Sequence, residues 1–469
     1  MISNKKKYSS LITDIGLFAI GSLGSKLLLF LLIPLYTNAL TNSEYGIADL
    51  VFTVGDLLLP FISLGIYNGL LRFGLVDKER EDAIRCATVV FLAGSIAVFL
   101  FMPAISLYKP VYEWRWFLAI KIVTSFAQNN ALICLKIKNN NKLYAVLSIF
   151  QALLLVLFNF ILLVNFKFGI KGYLISTIAA SGITAIFAFI GGKVYQDLFR
   201  SHRNQVLLKQ MVLYSIPFIV NDVSWWLIHS SDKIMIEWFL GSSLLGLYTA
   251  ASKIPSLINA VTAIFGQAWG IASIKEYDSS NDSNFYTNVF RAYIICMYGF
   301  CIFFVAITKP FMSIYIGRDF IESWHYVPLL LLAATIASIS SFLGSLFGAV
   351  KKSGRLMSTT MLSAFVNIII NYIFIQLCGI WGAVIGTVTA YFIVAIARLL
   401  MLKKYVRFIY PYNLLIPLTI VALIEAVLIG LNICVIPVAF CSVIIYLFLI
   451  RNDFHFIIHK MRSIYNKNK

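Results

Sequence analysis

The stretch FGIKGYLISTIAASGITAI, residues 168–186, carries one charged side chain, Lys171, in 19 residues. That is close to the length and character of a helix crossing a bilayer, which takes about 20 mostly apolar residues. It returns as CGIWGAVIGTVTAYFIVAI at residues 378–396, with nine of 19 positions identical and no gap. The matches are Gly169, Ile170, Gly172, Ile175, Thr177, Ala180, Ile183, Ala185 and Ile186. Two earlier loops correspond as well, KNNNKL (138–143) and KKSGRL (351–356). The pattern predicts a duplicated set of membrane helices.

Outward from these two segments, fourteen apolar spans can be drawn. They fall near 11–35, 46–71, 86–107, 114–135, 143–165, 169–191, 210–239, 244–272, 289–308, 325–349, 357–377, 380–401, 413–431 and 433–450. With both termini on the inside, 28 of the 38 Lys and Arg residues lie on inside segments. Six lie on outside loops, and Lys26, Lys121, Lys233 and Lys253 lie within spans. That asymmetry is the one that orients membrane proteins, with basic loops cytoplasmic. The predicted architecture is an all-α polytopic membrane protein of about 14 transmembrane helices. Residues 1–192 form a six-helix N-lobe, 193–209 a cytoplasmic linker and 210–402 a six-helix C-lobe. Residues 403–469 hold two more helices and a basic amphipathic tail (Arg451 to Lys469) expected at the inner membrane surface. The first and seventh spans run in the same sense, so the lobes are parallel repeats, with a substrate site expected between them.

Composition agrees. Hydrophobic residues make up 60% of the 469 and charged ones 12%, about half the ~25% of soluble proteins. The net charge of +18 is dispersed between apolar runs, not gathered on a solvated face, which argues against nucleic-acid binding. Seven scattered cysteines show no CxxC pair and no Cys/His ligand spacing, so neither a disulfide framework nor a metal site is expected. Lys5, Lys6 and Lys7 precede an apolar stretch too long for a signal peptide, read here as a retained first span. A GxxxxGK[ST] phosphate loop, HExxH and GxSxG are all missing, so the chain is not expected to be an enzyme or to hydrolyse ATP itself.

Ionisable side chains within spans are costly and mark functional positions by default. The second span carries Asp49, Thr53, Asp56, Pro60 and Ser63 on one helical face, and the seventh carries Asp222, Trp226, His229 and Lys233. Lys26 lies on the first span, Lys121 with Thr124, Ser125 and Gln128 on the fourth, and Lys253 on the eighth. Lys26, Asp56, Lys121, Asp222, Lys233 and Lys253 are therefore candidate cavity residues. Structural pairing is the competing reading, for instance Lys26 with Asp56 or Asp232 with Lys253. Arg72 and Arg291 are candidates for a cytoplasmic entrance. Asp56, Asp222 and Glu425 are candidates for ion coupling, Glu425 having no partner visible in the sequence.

The opening LFAIGSLGSKLLLFLLIPLYTNALTNSEYGIADL (17–50) is similar to that of polysaccharide-unit flippases of the Wzx type. So is YSIPFIVNDVSWWLIHSSDKIMIEWFLGSSLLGLYTAASKI (214–254), with Pro217, Asp232, Lys233, Gly246 and Tyr248, and so are the GIxG entries to the sixth and twelfth spans. The motifs are degenerate and shared across the wider exporter superfamily, which includes lipid II flippases and multidrug extruders. The resemblance implies a V-shaped, alternating-access transporter of the bacterial inner membrane. Its implied substrate is an oligosaccharide repeat unit on undecaprenyl pyrophosphate, destined for O-antigen or capsule. A polysaccharide polymerase and a chain-length regulator are the implied protein partners. No cofactor is implied, and coupling to a proton or sodium gradient stays open. A cation- or proton-coupled drug exporter of the same fold is the first alternative and a polysaccharide polymerase or ligase the second. One feature sits badly with an anionic substrate: four cations (Lys26, Lys121, Lys233, Lys253) meet five acids (Asp49, Asp56, Asp222, Asp232, Glu425) in or beside the spans.

Overall fold

The computed structural model describes residue 28 and residues 30–467, apart from 77, 203, 280–282, 351, 407 and 408. Most of the first span, with Lys26, and the side chains of the tail beyond Arg451 lie outside the described residues. The described chain is helical throughout its regular structure. Eleven of its helices are long and apolar enough to cross a membrane, and two shorter apolar helices, Ser256–Gly266 and Val435–Arg451, accompany them. Helices satisfy every interior backbone group within one segment, the condition hydrocarbon imposes. The chain is an all-α, multi-pass membrane protein.

The helices used below are α1 (Asn42–Ile62), α2 (Ile66–Gly74), α3 (Arg80–Phe101), α4 (Arg115–Ile137), α5 (Asn141–Asn159), α6 (Gly169–Gly191) and α7 (Gln205–Leu240). They continue with α8 (Ser242–Lys253), α9 (Ser256–Ser279), α10 (Ser283–Tyr315), α11 (Val327–Ala349), α12 (Ser353–Cys378), α13 (Ile380–Leu402), α14 (Tyr412–Gly430) and α15 (Val435–Lys467). At 36 residues α7 is the longest, roughly 54 Å at 1.5 Å per residue.

Local chemistry sets the helix ends. Thr41 caps α1 by accepting from the Glu44 amide, while Glu44 accepts from the Thr41 amide at 2.9 Å, a reciprocal capping box. The second span, expected as one helix over 46–71, is two. Pro60 sits in the last turn of α1, and Leu64 (φ 50°) and Gly65 (φ 59°) then turn left-handed. The Gly65 amide reaches back to the Pro60 carbonyl at 3.1 Å, which closes the helix end with a six-to-one bond. The eighth span is divided too. Pro255 has no amide proton to continue α8, and α9 starts at Ser256.

The chain forms two compact units, one of Met1–Ile234 with Ser242–Gly246, the other of Met235–Gly241 with Leu247–Lys469. In the first, Ile66 and Leu70 of α2, Ile84 and Val90 of α3, Phe126 and Ile137 of α4 and Met211 of α7 form one buried cluster. Small residues line the packed face of α6 (Gly172, Ser176, Ala180, Ser181, Thr184, Ala188), while Ile186, Phe187 and Ile190 are exposed. Apolar burial drives little helix association in lipid, so close backbone approach through small side chains takes over that role. In the second unit α11 is buried along almost its whole length. Trp269 of α9 stacks on Phe342 of α11, centroids 4.4 Å apart, and its Nε1 donates to the Phe342 carbonyl at 3.1 Å.

Candidate functional site

In the first unit three helices meet through charge. Asp49, Thr53 and Asp56 lie on one face of α1, with steps of four and three residues between them. Lys233, near the C-terminal end of the part of α7 in this unit, donates to Asp49 Oδ2 at 2.6 Å, and the two side chains are 12% and 5% exposed. About two turns along α1, Lys121 of α4 donates to Asp56 Oδ1 at 2.5 Å. The partners differ sharply there: the Lys121 side chain is 10% exposed and the Asp56 side chain 61%. Gly55 faces this pair: a Cβ there would press on Leu118 Cδ1 at 3.1 Å and touch the Lys121 side chain at ordinary contact distance. The Lys121 ammonium also stands 5.4 Å from the Phe52 ring centroid, within cation–π range.

Two further bonds tie α7 into this face. Trp226 Nε1 donates to the Thr53 carbonyl at 2.9 Å, and Tyr67 of α2 donates its hydroxyl to Asp222 Oδ2 at 2.5 Å. The break at Leu64–Gly65 is what lets Tyr67 serve, because it starts α2 on a new course after the α1 face has ended. Near the start of α1 the backbone of α8 crosses at contact distance. A Cβ on Gly246 would collide with the Asn42 carbonyl, and one on Gly46 with the Ser242 carbonyl. Only glycine at both positions allows the crossing, which the Ser43 and Ser242 hydroxyls complete with a 2.7 Å bond.

The second unit buries charge in another way. Arg398 of α13 is 3% exposed. Its guanidinium donates to the Ser340 carbonyl (2.7 Å) and Oγ (3.1 Å) on α11, and to Thr359 Oγ1 (3.2 Å) and Thr360 Oγ1 (2.9 Å) on α12. Gly344 on α11 leaves the space, a Cβ there falling 2.9 Å from Arg398 Nη1. Glu425 of α14 is 1% exposed, and among the described residues neither of its oxygens has a hydrogen-bond partner. Among the described residues no three His, Cys, Asp or Glu side chains gather as a metal site.

This arrangement bridges helices with ion pairs, and in the Lys121–Asp56 pair the carboxylate side is the exposed one. The sequence matches the polysaccharide biosynthesis protein family over residues 11–269, more than half of the chain. The chain belongs to that family. A probable low-salt glycan biosynthesis flippase of Haloferax volcanii, Agl15, is 24% identical over 213 residues, and that match spans 43% of each chain, under half the relative's length. Among solved structures, the lipid II flippase MurJ in an inward closed conformation superposes with a TM-score of 0.71 at 14% identity, covering 93% of this chain and 99% of that one. An inward-facing multidrug resistance MATE family transporter of the MOP superfamily gives 0.63 at 14%, covering 82% and 97%. At such identities the likeness is one of fold, a fold shared by transporters.

In this polysaccharide biosynthesis family member, four of the cavity and ion-coupling candidates fall in the first unit, Asp56, Lys121, Asp222 and Lys233, each with its partner on another helix. Lys26 lies outside the described residues. The described partner of Asp56 is Lys121, not a residue of the first span. Lys253 closes α8 and belongs to the second unit, as do Arg291, half-buried on α10, and Glu425. Arg72 is exposed near the end of α2. Sequence reasoning missed Tyr67, because the span was read as unbroken. It also missed Arg398, which had been counted as a basic residue of an inside loop and is instead buried within α13.

Proposed function

We propose that this chain is a flippase that carries an undecaprenyl-pyrophosphate-linked oligosaccharide from the cytoplasmic to the outer leaflet of the bacterial inner membrane, for surface polysaccharide such as O-antigen or capsule. The family membership and the fold shared with MurJ support a lipid-linked glycan as cargo. The observation that carries the reading is the asymmetric pair Lys121–Asp56. A pyrophosphate entering a low-dielectric space needs cationic partners. The buried lysine stays beside the Phe52 ring, while the exposed Asp56 carboxylate is the partner an incoming phosphate displaces. Asp49 and Lys233 hold α1 to α7 while that exchange occurs.

The topology that goes with this reading has fourteen spans, lobes 1–192 and 210–402, a linker at 193–209, two helices and a tail in 403–469, and both termini cytoplasmic. The eleven long and two shorter apolar helices and the basic-residue asymmetry support it. The cycle that goes with this reading is alternating access. Arg72 and Arg291 would receive the headgroup at the inner face, and Lys26 and Lys253 would join Lys121 along its path. A polymerase and a chain-length regulator would take the product onward.

The test is a deletion followed by lipid extraction. The flippase reading expects the lipid-linked unit to accumulate inside and surface polysaccharide to vanish, with rescue by wild type and failure by Lys121→Ala. A second reading, a cation-coupled drug exporter, draws on the neutralisation of Lys121 and Lys233 by carboxylates. Unchanged surface polysaccharide with new sensitivity to cationic toxic compounds would overturn the first reading in favour of the second.

A further inference from the structure

Glu425 lies on α14, which packs against α10, α11, α15 and the 3-10 turn Arg318–His325. Among the described residues, the polar and titratable groups of these elements are mostly engaged elsewhere. From α10, Cys301 faces it, itself wholly buried. Tyr298 on the same helix is engaged with Thr419 Oγ1 at 2.6 Å. From α11 comes no ionisable group, because Val327–Ala349 contains none, and Thr335 is that helix's nearby hydroxyl, beside Cys301. From α15, Ser442 faces the carboxyl, but its proton goes to the Val438 carbonyl at 2.6 Å. Tyr446 on α15 is bonded instead to the Ile295 carbonyl at 2.9 Å. From the turn, His325 Nδ1 donates to the Gly430 carbonyl at 2.6 Å, with Glu322 beside its other nitrogen. Gly430 is five residues on, roughly 7.5 Å along the helix. Lys309, the cation of α10 on this side, is bonded to Asn432 at 2.9 Å, roughly 10 Å along.

No described basic side chain pairs with Glu425, and neither of its oxygens has a hydrogen-bond donor. An ionised carboxylate in that position would carry the full cost of a buried, uncompensated charge, several kcal/mol after relaxation. A metal ion would need several oxygen ligands, and among the described residues the side chains that face the carboxyl, Cys301 and Ser442, supply one oxygen. A proton satisfies the site with no further ligand. A purely structural role would be served as well by an apolar residue, whereas an acid buried within α14 adds a charge state that depends on how α14 is packed.

We propose that Glu425 is a proton-exchange site, loaded while α14 is packed against α10 and α15 and emptied when that packing opens to water. The site makes one proton available per opening of the second unit. It gives a transport cycle a route to proton coupling that does not pass through Asp56 or Asp222. The proposal stands apart from the identity of the cargo, so its test uses no substrate.

The experiment is pH-difference infrared spectroscopy on the full chain in lipid bilayers, comparing wild type with Glu425→Gln. Gln has the shape of the neutral acid and should fold. Wild type should show the C=O stretch of a protonated carboxyl at neutral pH, and the band should disappear as the pH is raised while the amide bands stay unchanged. Glu425→Gln should lose it completely. Glu425→Asp, the second variant, should keep a displaced band. Identical bands in wild type and Glu425→Gln would overturn the proposal. So would a band that persists unaltered until the helices melt, because the proton would then be fixed and not exchanged.

Discussion

Ala188 and Arg398 each stand two residues beyond the repeated 19-residue stretch, so they occupy corresponding places on α6 and α13. Ala188 is wholly buried against Ala131 and Leu135 of α4 and Leu147 of α5. Arg398 is as well buried, but against hydroxyls and a carbonyl of α11 and α12. The same three-helix junction is thus closed once by small and aliphatic side chains and once by a guanidinium spanning both neighbours. The apolar version is tolerant of small shifts, because dispersion contacts are individually weak. The polar version is directional, and losing it strands several buried groups together.

The comparison breaks most severely at Arg398. Replacing it with Ala leaves Thr359, Thr360 and Ser340 short of partners around a cavity, and about 3–5 kcal/mol of stability should be lost. The readout is thermal unfolding in detergent, with Arg398→Lys expected to lose less. Ala188→Leu tests the other junction, where overpacking should cost about 1–3 kcal/mol. A larger loss at Ala188 than at Arg398 would reverse the contrast.

Within the first unit, Asp49→Asn should cost nearly as much as Arg398→Ala, about 3 kcal/mol, because Lys233 would remain buried without its charge partner. The double variant Asp49→Asn, Lys233→Met should recover part of that loss, measurable as a coupling in a double-mutant cycle. Gly246→Ala should cost about 1–3 kcal/mol through its collision with the Asn42 carbonyl. The smallest effect belongs to Asp56→Asn. The carboxylate is 61% exposed, so its pair with Lys121 is screened, and stability should change by less than about 1 kcal/mol. Transport, assayed by surface polysaccharide, should nevertheless fall. A large stability loss there would make the pair a scaffold.

The membrane helices were legible because hydropathy and span length are local quantities that bilayer thickness fixes. Asp56, Lys121, Asp222 and Lys233 were legible as candidates for a related reason, since a charge inside an apolar run needs no partner to be noticed. Pairing was not legible. Asp49 and Lys233 are 184 residues apart, and nothing local distinguishes that pairing from one with Lys26 or Lys253. The division of the second span at Leu64–Gly65 escaped the apolar pattern as well, because hydrophobicity does not report a positive φ, and Tyr67 was lost with it.

Composition and the length of the apolar runs were enough to establish an all-helical chain built for a bilayer, because these follow from transfer free energies that each segment carries alone. Packing decided the rest. Lys121 became a buried cation with a solvent-exposed partner, Arg398 a staple instead of a loop charge, and Glu425 a carboxyl without a counter-ion among the described residues. Whether a buried charge is paired, bridged or left alone depends on what distant helices bring within about 3 Å of it, and that distance exists only once the helices have met.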